Sequence, residues 1–143
     1  MNAFREMGRT APGPGDVALY AGAEGPESRG YRLTILAAKT ELAVDETVRV
    51  VHFCESVTAD AELYVMGPKP VYDEYVDDIR ATDHLPAGED PFAPAAYDGR
   101  VLPGPGVDTN YEVVEYAFTS PGEHTVQWRL GGTDSNTLRF TVR

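Results

Sequence analysis

Cysteine is almost absent from this 143-residue chain. Cys54 stands alone, so no disulfide can form within the chain and nothing demands an oxidising compartment. Long apolar runs are missing too: no stretch of about 18 apolar residues occurs, so no membrane span is expected. Basic residues are scarce. Twelve Lys and Arg stand against 23 Asp and Glu, for a formal net charge of −11. Such a surface repels phosphate, which disfavours nucleic acid and anionic membranes as partners and favours basic proteins or cations. The opening "MNAFREMGRTAPGPG" has charges and prolines where a secretory leader needs an apolar run, so a cytoplasmic protein is expected. Helical periodicity is lacking as well. At most a helical turn is expected near Val76–Ala81, or one around Pro94–Tyr97.

Signatures of known chemistry are also missing. There is no G-x-S-x-G elbow, and Ser56, Ser120 and Ser135 sit beside turns, where serine's backbone hydrogen bonding explains them. The Gly-Pro stretches "APGPGD" and "LPGPGVD" lack the Gly-Lys-Ser/Thr ending of a phosphate loop. The EF-hand spacing of acids is not found. His52, Cys54, Met66, His84 and His124 are residue types that bind copper on a β-sandwich, but the compact Cys-His-Met loop of such sites is not there. His52 and Cys54 share a strand face, and same-face Cβ atoms about 7 Å apart make a poor catalytic pair. No cofactor is therefore expected, and no set of metal ligands is defined.

What the chain does have is β-pattern. Residues 1–15 read as a flexible extension and residues 16–143 as a single domain. "DVALYAG" (16–22) reads as a short strand. "YRLTILAA", "TVRVVHFC", "AELYVMG", "PVYDEYV", "NYEVVEYAF", "HTVQWRL" and "NTLRFTV" are β-branched or alternating runs between turn signals. "GGTDS" joins the last two as a hairpin. His124, Val126, Trp128 and Leu130 alternate onto one face, with Trp128 as the core anchor. Seven or eight short strands predict an all-β sandwich or barrel.

One segment refines this expectation. "YAFTSPGEHTVQWRLGGTDSNTLRFTV" resembles the closing half of bacterial immunoglobulin-like domains, and "LTILAAKTELAVDETVRV" resembles their opening pair. The resemblance covers roughly residues 31–66 and 110–143. It implies an immunoglobulin-like Greek-key sandwich of about 7–8 strands, and almost nothing about activity. His124 stands where the family's "PGxYxV" corner has tyrosine. The resemblance implies that it caps a backbone group while its ring packs inward. Cys54 lies near one half of the antibody-type disulfide, with no partner, so it reads as a small buried apolar residue.

The sandwich alone does not explain the acidic segment. Between Tyr72 and Asp98 lie eight acids and one base, Arg80. Residues 77–108 read as a long acidic, Pro-rich loop with five prolines and four glycines. Loops beyond about 12–15 residues are uncommon and usually functional or disordered. Leu85, Phe92, Tyr97, Val101 and Leu102 suggest an ordered loop that lies apolar-side down and shows its acids to water. "PVYDEYV" has no clean apolar face, so it reads as a charged edge strand.

The candidate surface is that strand with the loop after it: Lys69, Tyr72, Asp73, Glu74, Tyr75, Asp77, Asp78, His84, Tyr97 and Asp98. Tyrosines beside charges favour a contact patch. The expected function is a non-catalytic interaction or accessory module for a basic or amphipathic protein surface. Dimerisation through an edge strand is also possible. Two alternatives stand beside it: a small-ligand or cation-binding sandwich with residues 77–108 as lid, and an enzyme with His84, Tyr97 and the acids under that loop.

Overall fold

A computed structural model describes residues 3–11, 25–58, 61, 63–65, 69–92, 100–102, 104, 106–108 and 110–143. The expected strand at 16–22, together with Met66, Tyr97 and Asp98, lies outside them. Among the described residues the protein is all-β, without helix. Hence no described helix is long and apolar enough to cross a membrane.

The strands run in chain order as β1 (Phe4–Thr10), β2 (Glu27–Ser28), β3 (Tyr31–Leu36), β4 (Glu41–Leu42), β5 (Thr47–Ser56), β6 (Leu63–Val65) and β7 (Glu74–Val76). Then come β8 (Ile79–Arg80), β9 (Arg100–Leu102), β10 (Gly106–Asp108), β11 (Val113–Phe118), β12 (Gly122–Leu130) and β13 (Thr133–Val142). One sheet has the order β1-β11-β5-β3-β2, with β10 also paired to β5. The second has the order β4-β13-β12-β7-β8, and β6 pairs with β9 in a short ribbon.

Alternation decides which side chains meet between the two main sheets. Along β12, His124, Val126, Trp128 and Leu130 are buried, as the sequence pattern predicts. They pack with Val76 and Phe140 of their own sheet and with Leu33, Ile35, Val50, Tyr116 and Phe118 of the other. Cys54 is buried here as a free thiol. On the opposite face of β5, Val51 and Phe53 form a smaller buried cluster with Leu36 and Val113. This explains why β5 reads as continuously apolar rather than alternating.

Side-chain amides close the gap where the sheets meet. Asn136 of β13 accepts from the Ile35 N–H at 2.8 Å and donates to the Ile35 carbonyl at 2.9 Å. Its amide thus does for β3 what a neighbouring strand would do. Ser135 beside it accepts from the Trp128 N–H at 2.9 Å.

Four expectations change. The supposedly flexible N-terminus holds β1, paired antiparallel to β11 from Phe4↔Phe118 to Thr10↔Val113, because Phe4 gains a buried place in the core. Segment 77–108 is no unbroken loop, since β8, β9 and β10 lie within it. The helical turn near 76–81 is instead a hairpin: β7 pairs with β8, and Asp77 and Asp78 take φ of 51° and 62°. Two successive left-handed residues make the tight turn that suits hairpin twist, and aspartate tolerates that region better than most residues. Lastly, β7 is not an outer strand but lies between β12 and β8.

Candidate functional site

The acidic strand was expected to be a solvated patch. Its acids are instead distributed among specific partners. Asp73 and Glu74 are buried, at 4% and 0% exposure. A buried carboxylate is tolerated where it is paired and hydrogen-bonded, and each of these is. The chain's three histidines all meet acids of the 73–77 segment: His52 meets Glu74, His84 meets Asp73 and His124 meets Asp77.

Glu74 points inward, across to the other sheet. Its Oε1 accepts from the Tyr116 hydroxyl at 2.6 Å, and its Oε2 contacts His52 Nε2. His52 stands edge-on to Trp128, with ring centroids 5.1 Å apart. Burial, and then the charge of Glu74, push the Tyr116 hydroxyl's pKa far above its ordinary value. Tyr116 is therefore a fixed donor and Glu74 an acceptor. Both carboxylate oxygens are taken and no solvent reaches the group. This arrangement joins the sheets.

Asp77 is held in the hairpin turn. Its Oδ1 accepts from the Thr125 N–H at 2.9 Å, and its Oδ2 lies 2.6 Å from His124 Nδ1. His124 Nε2 lies 2.8 Å from the Ser120 carbonyl, and the ring stacks on Phe118. His124 thus holds a backbone carbonyl and the turn carboxylate while its ring packs inward.

Lys69 and Tyr72 also serve the fold. Lys69 Nζ pairs with buried Asp108 and lies 4.3 Å from the centre of the Tyr111 ring. The Tyr72 carbonyl accepts from the Trp128 indole at 2.8 Å. Beneath Lys69, burial pushes the Cys54 thiol from 9.0 up to about 12, so it is an inert thiol rather than a nucleophile.

Asp73, Tyr75 and His84 come together at an open cleft of about 340 Å³. It lies between Asp73 and Tyr75, the segment 84–89, Arg129 and the β12–β13 turn at Gly131 and Gly132. Asp73 is fixed from every side. Its φ is 58°, its N–H donates to the Asp83 carbonyl, and its carbonyl accepts from the Arg129 N–H. Its Oδ1 meets His84 Nδ1 and its Oδ2 accepts from the Leu85 N–H at 3.0 Å. The His84 side chain stays 69% exposed.

Arg129 forms the opposite wall. Its guanidinium lies 4.5 Å from the centre of the Tyr75 ring and pairs with Asp78. A second hollow of about 220 Å³ shares Tyr75, Asp78 and Arg129. The floor is held close: a Cβ at Gly131, whose φ is 57°, would come within 2.5 Å of Pro91. Leu85 packs against the core, and Phe92 stacks on Tyr31 at 4.1 Å. These contacts set the path of the segment between β8 and residue 92.

Of the predicted residues, Asp73, Tyr75 and His84 therefore share one site, and Asp78 lines the neighbouring hollow. Glu74, Asp77, Lys69 and Tyr72 do not line it. Arg129 and the glycine pair were missed: an outward arginine on a core strand looks like any solvated residue. Among the described residues, no group of three or more His, Cys, Asp or Glu is placed to hold a metal ion. Comparison with known proteins finds no matching family model, curated protein or solved structure.

Proposed function

We propose that this chain is a non-catalytic interaction module, a Greek-key sandwich of the immunoglobulin-like kind, that binds a basic or amphipathic protein surface. The binding surface is the cleft beside β7, with the Pro-rich segment after β8 as one wall. The observation that carries this reading is the convergence of Asp73, Tyr75 and His84 with Arg129 around one open hollow, with Asp78 paired to Arg129 in the hollow beside it. Tyrosine and arginine are the residue types favoured in contact hot spots. The net charge of −11 supports a basic partner through steering as well as contact.

An enzymatic reading draws on the Asp73–His84 pair. Among the described residues, the cleft lining holds no serine, threonine or cysteine, which favours binding over covalent chemistry. β1 is the longest outer strand and is the edge that pairing between two copies would use.

Hydrogen–deuterium exchange with and without an arginine- and lysine-rich peptide tests the reading. Slower exchange in 83–89 and 129–132 is expected. Protection confined to β1, or no protection anywhere, would overturn it.

A further inference from the structure

We infer that the cleft captures a primary ammonium group, a lysine side chain of the partner, with His84 Nε2 as its oriented acceptor. This rests on the cleft being the binding surface.

The argument starts from the ring. Asp73 is acceptor-only, so His84 Nδ1 carries the proton that it donates to Oδ1. In the neutral ring Nε2 then presents a lone pair. The carboxylate cannot turn away, because its other oxygen is held by the Leu85 N–H and its backbone is tied at both N–H and carbonyl. A non-glycine residue kept in the left-handed region persists where its surroundings over-determine it. The result is an exposed acceptor with a fixed direction.

What such an acceptor recognises follows from its neighbours. Arg129 is already engaged by Asp78 and the Tyr75 ring, so it is not the free cation an anionic ligand would need. Glu89 lines the same cleft and is exposed. Two acceptors, one neutral and one anionic, suit a compact donor with several N–H groups and a positive charge. An ammonium is that donor. Leu85, Pro86 and Ala87 offer apolar surface for the methylene stem of a lysine. A hollow of about 340 Å³ suits one side chain rather than a folded ligand.

The test uses the whole chain and two short peptides at mildly alkaline pH. One carries lysines spaced by glycine and serine; its twin has every lysine Nε-acetylated. Binding is followed by amide and imidazole chemical shifts, and by calorimetry. The lysine peptide is expected to shift the His84 ring and the amides of 85–89, while the acetylated twin does not. His84→Ala should weaken binding about tenfold, the worth of one charge-assisted hydrogen bond. Asp73→Asn, which keeps the turn but loosens the ring, should weaken it less. Trp128 fluorescence checks that each variant folds. Equal binding of the two peptides, or no loss in His84→Ala, would sink ammonium capture and leave the cleft as a binding surface. Shifts elsewhere, or none, would sink both.

Discussion

Asp73 and Glu74 are neighbours at the start of β7, each paired with a histidine, and they have opposite environments. Glu74 enters the space between the sheets and holds His52 and Tyr116 where water does not reach. Asp73 is buried as well, but it holds its histidine outward into an open cleft. The left-handed φ of 58° at Asp73 lies just before the strand begins at Glu74, so its side chain does not follow Glu74 into the space between the sheets. The same pair of residue types is thus part of the fold on one face and available to a partner on the other. What separates them is not pairing but what the histidine faces next.

Breaking the inner pair should have the largest effect. Glu74→Ala leaves a buried histidine and hydroxyl unpartnered and should cost about 3–5 kcal/mol in urea unfolding. Trp128→Ala falls in the same range, about 3–5 kcal/mol, because it opens a cavity and frees the Tyr72 carbonyl. Gly131→Ala tests the cleft floor. Its left-handed φ alone should cost about 1–2 kcal/mol, and the approach to Pro91 adds to that.

High pH probes the core rather than the cleft. The hydroxyls of Tyr111 and Tyr116 and the Cys54 thiol have raised pKa values, with burial as the largest cause. Stability is then complete below their unfolded values. It falls as pH rises past them, because the unfolded chain releases protons the fold retains. For Cys54 the loss spans 9.0 to about 12. Chemical unfolding followed across that range should show the decline, and Cys54→Ala should reduce it. At the other end, His84→Ala should cost about 1 kcal/mol, because it leaves one oxygen of the buried Asp73 carboxylate without its partner while the Leu85 N–H still holds the other.

The sequence made the long core strands and the core anchor legible. His124, Val126, Trp128 and Leu130 alternate without interruption, and "GGTDS" marks the hairpin. The acidic segment was not legible, for a physical reason. Aspartate in "VDDI" is the residue of a solvated loop and also of a left-handed turn, and nothing local separates the two. The partners of Glu74 lie on β5 and β11, 22 and 42 residues away, so pairing set by tertiary contact left no local mark. β1 was missed because its burial pattern exposes nearly every residue but Phe4.

Two double-mutant cycles, compared in the same urea series, bear most directly on the division between the faces. One removes His52 and Glu74 singly and together; the other removes His84 and Asp73. The account predicts a coupling energy of about 2–3 kcal/mol for the inner pair and under about 1 kcal/mol for the outer one. Equal couplings, or a larger outer one, would contradict it and make the cleft histidine part of the fold rather than a group held ready for a partner.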